Sequence, residues 1–271
     1  MDAPSNNQAG ESVSRPVVVT TVGSPVRESI AVTEYIKRSF VPVSHLANGW
    51  EFHSGVGLSP AEERTILREP AQAIPQSIVQ RLGKVRVLAV QFVACTDQGD
   101  VICFSKPTGE THSAVWVTSN ERTDLILPCR ELDAHDTGFE FLASVAELLR
   151  PRLTSEELER YSQLLASELR AGVHGEIEEE ALAAKGQLTT SRFRRRLGHE
   201  QFDHYRDVSF VSTAAEYMHG LWHDVQIRTG GDHLPVPELR RRMVLLSEMF
   251  PPNEGYQVFS DELKRQGQES S

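Results

Sequence analysis

The chain is short of cysteine, of long apolar runs and of basic charge, and each shortage removes a class of protein. Its 271 residues contain three cysteines, Cys95, Cys103 and Cys129. An odd, small count in a chain of this length is not a disulfide scaffold and points to a reducing compartment. No stretch approaches the ~20 apolar residues that span a bilayer; β-rich runs such as Val17 to Val22 are far shorter. The segment from Met1 to Pro16 is polar and has no apolar core of signal-peptide type. The expectation is a soluble, cytoplasmic protein with no membrane partner. A formal net charge of −10 argues against a dedicated nucleic-acid binder and against docking on anionic lipid.

Several catalytic signatures are also missing. There is no Gly-x-Ser-x-Gly elbow, and the adjacent pairs His53-Ser54 and His112-Ser113 would point to opposite faces of a strand, so serine-nucleophile chemistry is set aside. No Gly-x-Gly-x-x-Gly or P-loop pattern follows Val17 to Val22, although Gly23, the N-cap candidate Ser24 and Pro25 come next. The His-Glu-x-x-His helix of zinc peptidases does not occur. Its nearest echo, His199-Glu200-Gln201-Phe202-Asp203-His204, sets the histidines five apart, about 140° around a helix, so one helix cannot aim both at one ion.

What is present is ordinary globular material, 39% hydrophobic and 24% charged. Residues 1–15 and 264–271 are polar and expected to be disordered tails. Between them, residues 16–263 read as a single α+β domain. N-terminal helices are expected after Ser24, after Ser59-Pro60 as far as Pro70, and over Pro75 to Leu82. A β-rich part follows at about 84–128. Its stretches Lys84 to Ala94, Val101 to Ser105, His112 to Thr118 and Asp124 to Pro128 are joined by short turns, which favour a small antiparallel meander. The half from about 137 to 263 is mostly helical. Capping boxes are expected at Thr137/Glu140 and Thr154/Glu157, an acidic helix over Glu176 to Lys185 ending at Gly186, helices over Phe202 to Arg206 and Val208 to Ile227, and a last one over Pro237 to Phe250.

Five of the ten histidines fall between His199 and His233. The sharpest pattern is Glu216-x-x-His219-x-x-x-His223, which places a carboxylate and two imidazoles within a ~60° arc of one helix face. Glu-x-x-His occurs in di-iron bundles and paired histidines four apart in zinc sites. Phe210, Ala214, Tyr217, Met218 and Leu221 occupy the opposite arc, so the same line also reads as the wet face of an amphipathic helix. A second cluster, Cys129-Arg130-Glu131-Leu132-Asp133-Ala134-His135-Asp136, sits where a strand runs into a helix. It reads either as further ligands or as helix capping by Asp136 and Thr137.

Two arginine runs interrupt the acidic background: Arg192, Arg194, Arg195 and Arg196, and then Arg240, Arg241 and Arg242. They read as solvated faces or as contact points for an acidic partner. Cys95 and Cys103 would lie nearly opposite if a hairpin turned near Gln98-Gly99; free cysteines of this kind are usually small core residues. The leading expectation is a metal-binding or metal-dependent hydrolase-like protein. Glu216, His219 and His223 would hold a divalent metal (zinc, iron or manganese), completed by His135, Asp136 or His204. The rival is a non-enzymatic interaction or regulatory protein, docking a protein partner through its helical half and arginine runs. A histidine-protonation sensor is the third reading.

Overall fold

The computed structural model describes residues 29–108, 111–190, 200–223 and 230–259. The strand expected at 17–22, the helix start at Ser24-Pro25, both expected tails, His199 and the arginine run at 192–196 lie outside those residues. The fold is α+β with a mostly helical C-terminal half. Among the described residues no helix is long and apolar enough to cross a membrane. The chain divides into two compact units, each assembled from separated stretches.

The first unit takes the described residues up to His45, then Gly49–Leu58 and Lys84–Asp133. It contains β1 (Ser29–Ala31), α1 (Val32–Tyr35), β2 (Ser44–His45), β3 (Glu51–Ser54), β4 (Val85–Val90), β5 (Phe92–Thr96), β6 (Gly99–Cys103), β7 (Val115–Thr118) and β8 (Thr123–Pro128). Ile30, expected on a helix, is in β1. Two sheets result, an antiparallel one in the order β1-β6-β5 and a mixed one in the order β2-β3-β4-β8-β7. The two tight hairpins, β5–β6 and β7–β8, are antiparallel as their short turns require. The stretch expected as one strand over 84–94 instead changes sheet at Gln91. Its first half, β4, runs parallel to both β3 and β8. All six β4 residues are buried, with none of the alternation of a half-wet strand, as a central parallel position demands. β8 lies two hairpins downstream of β4, so that connection is long enough for a parallel pair.

Arg86 and Asp124 face each other in this register, with Nε to Oδ1 at 2.7 Å. Arg86 also donates to the Ile36 carbonyl at 3.1 Å and stacks its guanidinium on Phe40 at 4.7 Å. The hairpin turns at Asp97-Gln98, which pairs Cys95 with Asp100 and Cys103 with Phe92. The two cysteines are therefore not opposite; Cys95 is exposed and Cys103 buried.

The second unit takes Leu46–Asn48, Ser59–Gly83 and the described residues from Ala134 onward. Its helices are α2 (Pro60–Glu63), α3 (Glu69–Ala73), α4 (Gln76–Leu82), α5 (Ala134–Leu149), α6 (Ser155–Ala171), α7 (Glu179–Thr190), α8 (Glu200–Trp222) and α9 (Val236–Met249). Ser59 and Thr154 form the expected capping boxes with Glu62 and Glu157. Pro70 does not end its helix. A π turn at Arg64–Arg68 precedes it, and the helix continues to Ala73. The wider turn moves carbonyls off the proline ring, and the missing N–H falls where the ladder changes.

Three other boundaries differ from expectation. α5 starts at Ala134, so Thr137 is a fully buried interior residue and not a cap. α7 starts at Glu179 and runs through Gly186, because one glycine costs a helix only about 1 kcal/mol. α8 is one continuous helix of 23 residues rather than two.

α8 is also buried on nearly every side from Ser209 to Leu221, where an amphipathic helix with a wet face was expected. Ser209, Ser212, Thr213, Ala214, Ala215 and Gly220 keep it slim enough for close neighbours. Tyr161 of α6 donates to the Ser209 carbonyl at 2.9 Å and sits 2.8 Å from Thr213 Oγ1. Burial pushes the Tyr161 phenol up to about 12. Beside it, Arg242 of α9 is fully buried, not part of a solvated basic face. Its guanidinium donates to Glu168 at 2.6 Å and to Glu176 at 2.7 Å. Glu176 also accepts from Lys185 at 2.9 Å and from the Tyr205 hydroxyl at 2.5 Å. Burial works against this carboxylate, but Arg242 and then Lys185 and Tyr205 outweigh it and hold Glu176 down at about 2.

Candidate metal centre

The site forms where the first turn of α5 meets the C-terminal end of α8. His135, Gly138 and Phe139 stand at i, i+3 and i+4 on α5 and so share a face. Gly138 is what permits the approach. A Cβ built on it would lie 2.6 Å from Trp222 Cη2 and 2.8 Å from the Thr65 carbonyl. That carbonyl is the π-turn acceptor to which Pro70 has no N–H to give. With only hydrogen at residue 138, the indole lies against α5 and stacks on His135, with centroids 5.2 Å apart.

His219 Nε2 is 3.3 Å from His135 Nε2. The ring centroids of His135, His219 and His223 are 5.1 to 5.9 Å apart in every pair. Phe139 meets His219 edge-to-face at 5.3 Å. The sequence alone could not show whether the two histidine clusters meet; His135 and the α8 histidines do.

The members differ in exposure, and that sets their roles. His219 is 2% exposed, and its Nδ1 makes no hydrogen bond with a described residue, although Glu216 Oε2 stands 3.5 Å away. Trp222 Nε1 is buried in the same place and makes no hydrogen bond with a described residue. Glu216 is thus on the Nδ1 side of His219, away from the Nε2 that faces His135. It is placed to orient the imidazole rather than to join it on an ion, as carboxylates behind metal-bound histidines do. His223 is exposed at the last turn. Asp136, 64% exposed, has Oδ1 3.5 Å from His135 Nδ1, again on the far nitrogen.

His204 is not part of this cluster. It is exposed and on the same helix, fifteen residues from His219, which is about 22 Å along the axis. Glu131 pairs with Lys106 at 3.3 Å, and Cys129 is buried with its thiol 3.3 Å from the Leu127 carbonyl, so the upstream part of that run is otherwise engaged. Sequence reasoning did not find Phe139, Trp222 or Gly138 as parts of the site. The available signal was the i, i+3, i+4 spacing of His135, Gly138 and Phe139.

Two neutral imidazole nitrogens 3.3 Å apart share one proton in a hydrogen bond or hold one cation between them. A tetrahedral ion at 2.0–2.1 Å from each nitrogen separates its ligands by about 3.3 Å, and three imidazoles on one such ion have centroids about 5 Å apart. Among the described residues no three His, Cys, Asp or Glu side chains already converge as a ligand set. The preformed element is the His135–His219 pair. Compared with protein-family models, with curated proteins and with solved structures, the chain matches none.

Proposed function

We propose that this protein binds a divalent transition metal between His135 and His219, with His223 as the third ligand, and uses it for hydrolytic chemistry. The observation that carries the reading is the 3.3 Å separation of the two Nε2 atoms, which matches the ligand spacing of a tetrahedral ion. The Nδ1 of His219, not hydrogen-bonded to a described residue, supports it, because metal at Nε2 requires the proton on Nδ1, and Glu216 Oε2 stands 3.5 Å away to accept it. His223, at the exposed end of α8, completes the set by side-chain rotation. Three imidazoles leave a fourth position for water, and a metal there acts as a Lewis acid that lowers the pKa of the water it binds. Zinc suits this donor set, and iron and manganese are the alternatives.

The test is elemental mass spectrometry on protein purified without a histidine tag. One equivalent of metal is expected, lost in His135→Ala and in His223→Ala while the circular dichroism spectrum of the folded chain is unchanged. Both residues are exposed enough for truncation to spare the fold. A wild-type chain that takes up no zinc, iron or manganese after reconstitution ends the proposal. In the rival docking reading the run at 192–196 lies outside the described residues, and of the second run Arg240 and Arg241 are exposed while the burial of Arg242 withdraws it.

A further inference from the structure

A cavity of about 390 Å³ opens in the second unit, bounded by the end of α6, the loop after it and α7. That volume is at the lower end of the range for small-molecule sites. Leu169, Val173, Leu182 and Leu188 supply its apolar lining. Arg170, His174 and Lys185 are the charged or titratable groups that line it, and no described acidic side chain does. Arg170 and His174 are exposed at the rim and make no ion pair with a described residue.

Lys185 is different. Its side chain is 6% exposed, and the ammonium donates to the Gly175 carbonyl at 2.8 Å and to Glu176 at 2.9 Å. An ammonium has three N–H donors, and among the described residues only these two are engaged in hydrogen bonds. Lys185 lines the cavity, and its ammonium, paired with Glu176 and 5.9 Å from the Tyr205 ring, keeps a third N–H that is not hydrogen-bonded to a described residue.

A second, independent observation concerns Gly186, which also lines the cavity. It stands inside α7, where glycine is among the poorest helix formers. Elsewhere in this unit a helical glycine has a packing reason: Gly138 has Trp222 against it. At Gly186 a Cβ would meet no described atom within 4 Å. Among the described residues no neighbour demands the glycine, and the position lines the cavity.

We propose that this cavity binds a small amphipathic monocarboxylate, its apolar body against Leu169, Val173, Leu182 and Leu188 and its carboxylate at Lys185, with Arg170 and His174 at the entrance. This site shares no residue with the histidine cluster and does not rest on the metal reading.

The experiment is isothermal titration calorimetry of the full chain with octanoate and, in parallel, with 1-octanol. Octanoate is expected to bind saturably and at least about ten-fold more tightly than octanol, the gain of a charge-assisted hydrogen bond. Gly186→Leu adds an apolar side chain at a lining position where a Cβ meets no described atom within 4 Å, and leaves Lys185 in the sequence. It should weaken octanoate by about ten-fold or more with an unchanged circular dichroism spectrum. Absence of saturable octanoate binding, equal affinity for octanol, or wild-type octanoate binding by a folded Gly186→Leu variant would each overturn the proposal.

Discussion

Replacing Arg242 with methionine tests the buried charge network at its centre. Methionine is unbranched and flexible and covers the length of the arginine stem, so the change removes the guanidinium and its charge while keeping the apolar part. Glu168 and Glu176 have side chains 0% exposed, and both are paired to this one guanidinium. Glu176 keeps Lys185 and Tyr205, whereas Glu168 loses the partner that holds it at 2.6 Å. Removing one member of a buried pair costs about 3–5 kcal/mol, because an uncompensated charge is left inside. That is a large part of the roughly 5–15 kcal/mol that stabilises most domains.

The pH dependence gives the same network a second readout. Glu176 is held at about 2 against an ordinary value of 4.5. A depressed carboxylate contributes stability that is fully present above pH 4.5 and lost as pH falls through about 2. The contribution is about 3 kcal/mol. Arg242 is the chief cause of the depression, so Arg242→Met should be less stable at pH 7 and should also lose less on acidification. The assay is urea unfolding followed by far-ultraviolet circular dichroism, which the helices of the second unit dominate, at a series of pH values from 7 to 3. A variant within about 1 kcal/mol of wild type at pH 7, with the same acid slope, would refute the reasoning.

Two glycines predict opposite outcomes for one substitution. Gly138→Ala puts a methyl group 2.8 Å from a backbone carbonyl and 2.6 Å from an indole ring. Thermal unfolding should show a loss of about 1–3 kcal/mol and a change in Trp222 fluorescence, and an unchanged melt would mean that α5 and α8 shift apart freely. Gly186→Ala meets no described atom within 4 Å. It should raise stability by about 1 kcal/mol, and a loss would show that the position needs glycine for some other reason.

The elements whose signals are local were legible in the sequence. Ser59 and Thr154 cap helices because each has its glutamate partner three residues on, a relation complete within one turn. Gly83 and Gly172 close helices with φ of 70° and 72°, which glycine adopts without steric cost. The two tight hairpins, the strand content near 84–128 and the helical C-terminal half follow from turn chemistry and periodicity in the same way. So does the alignment of Glu216, His219 and His223, because helix geometry alone settles it.

Tertiary structure decided whatever depends on residues far apart in the chain. Parallel pairing of β4 with β8 is invisible to turn chemistry, because no turn joins them. Arg242 reads as one of three consecutive arginines, and only the arrival of Glu168 and Glu176 makes it a core residue. The polar line on α8 read first as a wet face. In the fold α5 covers it, bringing His135 to His219 across 84 positions of sequence, over a glycine that lets an indole through. Spacing within a helix determines which side chains share a face. What that face meets is set by the packing of the other helices, and that depends on the whole chain folding at once.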